Sequence, residues 1–445
     1  MKKNSHNIFF IFLKWFLKRF VYLKKEFRKI IDILIYQPQS RFVLHKWHGH
    51  KCPLEPILFY SYLGRILFGI KEFIALVTNG FLKKSIQLEG FDTIDFKQIY
   101  QTGSDTILWP KSPFIQLNEP YIPISFFTKI HNSYHLSKLP VEGGLEIKKT
   151  LWWEKVSTNL QKWILNDSGQ LKVHELINFR KGSRFEQYIT DQFTYVDTQN
   201  SYFDEYLKAI DIVLEYHRFA QHIPREILAS MSESKAGNNT CIVYRGKRLS
   251  EKSLFYATAV ADIITNTPLL AMQKTVVCDL GTGYGGLPAM LRYYINESCQ
   301  ILIDFPEVLI FAAYYIRYNF PDAKIALLED IQTDMQNNDF SNLFKKYDFI
   351  LIPPEYMRFI PDATVDLCTN TASLGFLDLY TSNTYLSEIS RILKKGGYFY
   401  SVNQAYTSKL GAGMYAWDFH SEYLTVLLSF SNRFAYPQWL GKKLT

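Results

Sequence analysis

Short apolar runs alternate with helical patterns along the C-terminal part of the chain, from residue 274 onwards. The apolar runs have the length of buried strands, and the segments between them place apolar residues at helical spacing. Alternation of this kind predicts an α/β fold with a doubly wound, mostly parallel sheet. The predicted elements are, in chain order, the strand VVCDL, the helix LPAMLRYYIN, the strand QILIDF, the helix VLIFAAYYIRYNF, the strands DFILI and VDLCTN, the helix NTYLSEISRILK and the strand YFYSVN. The run KIALLED at 324–330 is either a further strand or part of an insertion.

The chain before residue 274 is less regular. Helical patterns run over 203–230 and 251–265, whereas residues 40–200 mix short apolar runs with proline, tryptophan and tyrosine. The N-terminal extension is therefore unassigned beyond a mixed or helical fold. We expect three regions: a helix at 1–36, an accessory region at 37–202 that is a candidate for substrate binding, and a domain at 203–445 with a helical lead-in at 203–270 and a core at 271–445.

Residues 1–40 carry most of the net positive charge. The chain has 50 Lys and Arg against 42 Asp and Glu, and residues 1–40 hold nine of the former and two of the latter. On a helix, apolar residues from Phe9 to Leu34 form one stripe with the basic residues opposite. The longest apolar run is far shorter than the roughly 20 residues that span a bilayer. We interpret residues 8–35 as a basic amphipathic helix that either lies on an anionic membrane surface or packs its phenylalanine face on the protein.

Composition excludes several classes of protein. Hydrophobic residues make up 47% and charged residues 21%, which rules out a disordered chain. Five cysteines without CxxC spacing indicate neither a disulfide framework nor a thiolate zinc site, so a reducing cytosol is expected. The segment HKWHGHKC, with His45, His48, His50 and Cys52, lacks a partner cluster, and no metal site is predicted. Beyond residue 40 no basic stripe follows a phosphate backbone, so no nucleic-acid partner is expected.

The most specific feature is a glycine loop, Asp279-Leu-Gly281-Thr-Gly283-Tyr-Gly285-Gly286, between a predicted strand and a predicted helix. Glycines allow the turn and bring backbone N–H groups close to a ligand at the helix N-terminus. The spacing also matches GxGxxG, a pattern typical of dinucleotide-binding sites, so a dinucleotide is the alternative ligand. Asp279 would repel a pyrophosphate at close range, but it favours the sulfonium and ammonium of S-adenosylmethionine.

A second carboxylate, Asp304, ends the next predicted strand, ILID. A carboxylate at the end of this strand can accept hydrogen bonds from both hydroxyls of a ribose. Asp304 therefore supports nucleoside binding without choosing between the two cofactors.

These motifs resemble a family. The segment from about 274 to 405 is similar to class I S-adenosylmethionine-dependent methyltransferases, which implies a Rossmann-like fold. More narrowly, DLGTGYGGL, LIDFPEVLIFAAYYIR, IPDATVDLCTNTAS and LKKGGYFYSVNQ resemble the sugar O-methyltransferases of bacterial surface-polysaccharide clusters. The lead-in from Gly237 onwards is similar as well, so that the resemblance covers about 200 residues.

The resemblance implies roles for individual residues. The methionine end of the cofactor would be lined by Asp279, Gly281, Gly283 and Gly285, and Tyr284 of the same loop would also contact the cofactor. Asp304 would bind the ribose, Phe305 would flank the adenine, and Pro354 and Glu355 would lie near its edge. Asn370 would face the reactive methyl. Family members often carry an acidic residue followed by Met shortly after the Asn-Thr-x-Ser stretch, whereas this chain reads Ser373-Leu-Gly-Phe-Leu-Asp378. The role of that acid is either lost or moved to Asp378.

The expected activity is O-methylation of a sugar hydroxyl in surface-polysaccharide synthesis. Such a reaction needs in-line approach of the oxygen and a base for its proton, for which His420 and Asp378 are the candidates. The acceptor would be a glycan, lipid-linked at the inner face of the cytoplasmic membrane. The alternatives are a methyltransferase of another small molecule or lipid, an NAD(P)-dependent oxidoreductase, and a scaffold that kept the fold without the activity.

Overall fold

The computed structural model describes most of the C-terminal domain and part of the accessory region. The described residues are 100–101, 121–181, 185, 188, 212, 216, 223–224, 227–228, 231–239, 241–244, 247–336, 340–403, 422–430 and 437–445. They belong to one compact unit, formed by residues 84–199 and 211–445. The predicted amphipathic helix at 8–35, the cluster around His48 and the candidate base His420 lie outside the described residues.

The helices and strands of this unit follow in chain order. The helices are α1 (Ile124–Leu136), α2 (Leu151–Ile164), α3 (Val173–Ile177), α4 (Glu251–Asn266), α5 (Gly286–Tyr294), α6 (Pro306–Asn319), α7 (Leu328–Gln336), α8 (Phe340–Lys346) and α9 (Leu379–Ile392). The strands are β1 (Tyr100–Gln101), β2 (Cys241–Tyr244), β3 (Lys247–Leu249), β4 (Thr275–Leu280), β5 (Ser298–Ile303), β6 (Ile325–Ala326), β7 (Phe349–Ile352), β8 (Val365–Thr371), β9 (Leu393–Val402), β10 (Tyr423–Phe430) and β11 (Pro437–Lys443).

The main sheet has the strand order β10-β11-β9-β8-β4-β5-β7-β6. Neighbouring strands from β9 to β6 are parallel, and β11 is antiparallel to both of its neighbours. The predicted doubly wound, mostly parallel sheet is confirmed. The run KIALLED supplies the short edge strand β6 and the start of α7, whereas the antiparallel pair β10–β11 was not predicted. A smaller antiparallel sheet joins β1, β2 and β3.

The direction of winding reverses between β4 and β8. From β4 the chain adds β5, β7 and β6 on one side of the sheet, and β8 and β9 lie on the other side. Ligands of open parallel sheets bind outside the carboxyl ends of the strands at such a reversal. A ligand site is therefore expected at the carboxyl edge of β4, β5 and β8.

Helix α6 explains how the accessory region joins the domain. Of its residues, Arg317 alone is not buried, so α6 needs protein on the side that faces away from the sheet. Helices α1, α2 and α3 pack against it there. Residues 121–181 thus form an outer helical layer on the α/β core, and their fold is helical within the described range.

Candidate functional site

The glycine loop turns sharply at three glycines in the left-handed region. The φ angles are +72° at Gly281, +57° at Gly283 and +85° at Gly285, which caps α5. A Cβ at Gly281 would lie 2.1 Å from Oγ of Ser373, whereas a Cβ at Gly283 would meet open space. Close packing therefore requires Gly281, and Gly283 leaves the loop open to a ligand.

Asp279 lies within β4, directly before its last residue. Its side chain is buried, and its Oδ1 accepts a hydrogen bond of 2.5 Å from the hydroxyl of Thr369 in β8. Burial raises the pKa of Asp279 to about 7, although hydrogen bonds oppose the rise. The cause is desolvation, because a carboxylate loses its hydration without gaining a cation.

Asp304 follows β5 and closes the loop from the neighbouring strand. Its Oδ2 accepts the N–H of Gly283 at 2.8 Å, and its Oδ1 accepts the N–H of Phe305 at 2.8 Å. Burial raises its pKa to about 7 despite these hydrogen bonds, and the nearby charge of Asp279 adds to the rise. Each carboxylate oxygen still has accepting capacity for a further donor such as a ribose hydroxyl.

A third acid, Glu355, lies in the turn Pro354–Phe359 that follows β7. Its Oε2 is buried and has no hydrogen-bond partner in the part of the chain that the structure describes. Burial raises its pKa. The charge of Lys149 lowers the pKa, whereas the charge of Glu307 raises it further. Pro354 is buried at the start of the turn. An unpartnered buried acceptor at this edge is available to a ligand with N–H groups.

The ring of Phe305 is covered by the outer helical layer. Its centroid lies 5.3 Å from that of Trp153 in α2, and Nζ of Lys149 lies 4.5 Å from the centroid of Phe305. The indole N–H of Trp153 is buried without a partner among the described residues. The accessory region thus contributes side chains to this edge, which sequence reasoning missed because residues 40–200 have no regular pattern.

Glu307 holds the outer layer in place. Its carboxylate is completely buried near the start of α6 and forms ion pairs with Lys138 and, at 3.2 Å, with Lys149. Gln161 donates to the same carboxylate at 2.7 Å. The pKa of Glu307 falls to about 2, because the attraction of Lys149 and Lys138 outweighs the desolvation that would raise it. We call Glu307, Lys138 and Lys149 the lysine clasp.

The predicted cofactor contact Tyr284 has its ring in the packed interior. The guanidinium of Arg180 lies 4.3 Å from the ring centroid, and Arg180 forms a buried ion pair of 2.9 Å with Glu233. The rings of Phe185 and Tyr315 also contact it. The side chain of Tyr284 therefore supports the glycine loop through packing, and a contact with the cofactor stays a prediction.

Asn370, near the end of β8, forms hydrogen bonds with β4 and with the residue that follows β9. Its Nδ2 donates to the carbonyl of Leu280 at 2.7 Å and to the hydroxyl of Ser373 at 2.5 Å. Its Oδ1 accepts from Asn403 at 2.8 Å and more weakly from the N–H of Leu374 at 3.4 Å. Both donors are in use and the side chain is fully buried. A structural role explains this residue, and its predicted place beside the reacting methyl stays a prediction.

The candidate base Asp378 caps α9. It accepts the N–H of Thr381 at 2.8 Å and the hydroxyl of the same residue at 3.0 Å. Capping explains an acid at this position without any catalytic role, so its function as a base stays a prediction. The other candidate, His420, lies in the undescribed stretch 404–421.

The described residues contain no group of three or more histidine, cysteine, aspartate or glutamate side chains that could hold a metal ion. In the same ranges, no helix is long and apolar enough to cross a bilayer.

Several solved structures are similar to part of the chain, whereas no family model and no curated protein matches it. Similar solved structures include a SAM-dependent methyltransferase from Aquifex aeolicus, with 15% identity over 40% of this chain and 86% of that chain and a TM-score of 0.25. The N-methyltransferase NodS from Bradyrhizobium japonicum WM9, in complex with S-adenosyl-L-homocysteine, has 11% identity over 42% and 86% and a TM-score of 0.29. The PH0226 protein from Pyrococcus horikoshii OT3 has 12% identity over 44% and 92% and a TM-score of 0.31. The fold assignment rests on the strand order and register of the sheet.

Proposed function

We propose that this chain is an S-adenosylmethionine-dependent methyltransferase whose cofactor binds at the carboxyl edge of β4 and β5. The observation that carries the proposal is the pair of buried carboxylates, Asp279 and Asp304, beside the open glycine loop. Neither has a lysine or arginine within ion-pair distance among the described residues. Uncompensated buried acids favour a cationic ligand over an anionic one.

The negative charge of Asp279 favours the proposed cofactor over a dinucleotide. A pyrophosphate at the glycine loop would approach the buried carboxylate of Asp279, and the repulsion is strong where water is excluded. S-adenosylmethionine has no phosphate and carries a sulfonium and an ammonium. The alternative of an NAD(P)-dependent oxidoreductase is disfavoured on this ground.

The residues of the chain fit the parts of this cofactor. Asp279 would hold the ammonium end, Asp304 would accept the ribose hydroxyls, and Phe305 with Trp153 offers an apolar wall for the adenine. Glu355 offers a carboxylate oxygen, Oε2, that is unpartnered within the described ranges and could accept from an exocyclic amine. The cofactor supplies an electrophilic methyl on its sulfonium, so that the protein has to position the acceptor oxygen and take its proton.

For the acceptor we propose a sugar hydroxyl of a surface-polysaccharide precursor. The support is the sequence resemblance around the glycine loop and the Asn-Thr-x-Ser stretch, together with the basic N-terminal segment that suits an anionic membrane surface. The exposed ring of Tyr380 at the start of α9 adds a surface on which a sugar could stack. His420 and Asp378 are the proposed bases.

Calorimetric titration of the full chain with S-adenosylhomocysteine tests the cofactor. We expect a dissociation constant in the micromolar range, about −8 kcal/mol, and at least about tenfold weaker binding for Asp304→Ala. Asp322→Ala is the matched control, because Asp322 is an exposed acid after α6. Binding of NAD instead of S-adenosylhomocysteine, or equal binding by both variants, would contradict the proposal.

Transfer of labelled methyl from S-adenosylmethionine to candidate glycans tests the acceptor separately. Cofactor binding without transfer to any glycan would leave the cofactor site intact and would favour a lipid or another small molecule as acceptor.

A further inference from the structure

Two histidines of the outer layer converge on one backbone carbonyl. His131 and His135 lie four residues apart on α1 and therefore share a helix face. Their Nε2 atoms are 3.1 Å apart, and they lie 3.0 Å and 3.4 Å from the carbonyl oxygen of Gly169. We call these three groups the histidine pair and its carbonyl.

The carbonyl is held by a well-defined turn. Asn166 Oδ1 accepts the N–H groups of Ser168 and Gln170 at 3.1 Å and 2.8 Å. The N–H of Gly169 donates to the carbonyl of Asn166 at 2.9 Å, and Gly169 has a φ of +77°. Because the turn fixes the backbone, the Gly169 oxygen is presented to α1 in a defined direction.

Hydrogen bonding accounts for at most two of the three contacts. The carbonyl only accepts, and each imidazole nitrogen either donates or accepts according to its tautomer. If one histidine donates to the other, the accepting nitrogen cannot also donate to Gly169. If both donate to Gly169, their mutual contact is no hydrogen bond. One of the three contacts is left without a proton in every arrangement.

The triangle has the dimensions of a metal coordination face. With metal–ligand bonds of about 2.1 Å, neighbouring ligand atoms lie about 3.0 Å apart in octahedral and about 3.4 Å apart in tetrahedral geometry. The three observed separations fall in this range. Histidines at positions i and i+4 of a helix are a recognised way to hold zinc. A cation between the three atoms would accept one lone pair from each of them at once.

We propose that His131, His135 and the carbonyl of Gly169 bind a divalent transition metal ion of the zinc or copper class. Imidazole nitrogen selects these metals over magnesium or calcium, and water completes the coordination. The ion links α1 to the turn at 166–170 and so stiffens the layer that carries Lys138 of the lysine clasp. The site is separate from the cofactor edge and does not depend on the proposed function.

Titration of the metal-free full chain with zinc chloride tests this site. We expect His131→Ala and His135→Ala each to lose one zinc equivalent, or to bind it at least about tenfold more weakly. His174→Ala, at an exposed histidine on α3, is the matched control and should retain that equivalent. The segment with His45, His48 and His50 is a second zinc-binding candidate, so the titrations are repeated with these three residues replaced by alanine. Circular dichroism without metal checks that every variant is folded.

A spectroscopic measurement identifies the ligands. Electron paramagnetic resonance of the Cu²⁺-loaded chain should show coupling to imidazole nitrogen that is lost in both single variants and kept in His174→Ala. Unchanged zinc stoichiometry and affinity in folded His131→Ala and His135→Ala would overturn the proposal. So would nitrogen coupling that disappears only when His45, His48 and His50 are replaced.

Discussion

Asp304 and Glu307 are three residues apart, and their pKa values are shifted in opposite directions. Both carboxylates are buried at the carboxyl edge of the sheet. The pKa of Asp304 rises to about 7 because desolvation is not offset by a cation, whereas that of Glu307 falls to about 2 because Lys149 and Lys138 approach it. Burial alone therefore does not decide the state of an acid here. The acid with lysine partners fastens the outer layer, and the acid that has no lysine or arginine partner among the described residues is available to a ligand.

Removing the charge of the lysine clasp should have the largest effect on stability. Glu307→Gln leaves Lys138 and Lys149 facing a neutral amide, and we expect the free energy of unfolding to fall by about 2–4 kcal/mol. The lysines reach solvent in part, which keeps the loss at the lower end of the range for buried pairs. Urea denaturation at pH 7.5 measures it. A loss as small as that of Glu329→Gln, an exposed acid on α7, would show that the clasp contributes little.

Cofactor affinity should depend on pH through the two acids that lack a cationic partner in the described part of the chain. Asp279 and Asp304 have pKa values near 7 in the free protein, so they are increasingly protonated below that pH. Since the ionised form attracts the ammonium, binding of S-adenosylhomocysteine should weaken by up to about tenfold per pH unit below 7 for each coupled acid. Calorimetry in buffers of different ionisation enthalpy should also detect proton release on binding. Affinity that is constant from pH 5.5 to pH 8 would contradict this account.

The same two acids should make the free protein less stable as the pH rises. Their folded pKa values exceed the unfolded values, so the folded state binds more protons between about pH 4 and pH 7 and their contribution to stability declines across that window. Glu307 acts in the opposite sense, because its contribution is present above its unfolded pKa and is lost as the pH falls towards about 2. Asp304→Asn should reduce the decline between pH 5 and pH 7.5 by about 2–3 kcal/mol, because most of the titration of Asp304 falls in that interval. Urea denaturation at both pH values measures this, and an unchanged decline would argue against an uncompensated Asp304.

The smallest expected effect is at Asp378, where two substitutions distinguish a capping role from a catalytic one. Asp378→Ala should lower the free energy of unfolding by about 1 kcal/mol through loss of the cap, whereas Asp378→Asn should retain most of it. If Asp378 is only a cap, Asp378→Asn keeps methyl transfer close to that of the unsubstituted chain. A large loss of transfer in Asp378→Asn with unchanged stability would identify it as the base.

The fold was predictable from sequence where the pattern is local. The strand that contains Asp279 has an apolar run and is buried along its whole length because both faces of the sheet are covered, and the glycines of the loop mark a turn that other residues resist. The strand pair β10–β11 was not predicted. It is antiparallel and close to the chain end, and its exposed positions at Leu424 and Val426 break the alternation of apolar and polar residues.

The candidate site was predictable only in part. Asp279, Asp304 and Gly283 were proposed as site residues because they occupy fixed positions relative to predicted strands, and Glu355 was proposed from the family resemblance. Side chains from the outer layer could not be identified, since no periodic pattern precedes them. The placement of the Tyr284 ring also needs the fold, because a residue in a glycine loop can point towards a ligand or towards the interior.

By itself the sequence determined most of the order of strands and helices between β4 and β9, the glycine loop and the positions of the acids, because these depend on spacing along the chain. Only the tertiary structure decided which acids keep their charge. Glu307 meets Lys138 and Lys149 across 169 and 158 residues of sequence, and no local pattern encodes such a contact. Electrostatic interactions act over a few ångströms in space, so the distance along the chain says little about which charges meet.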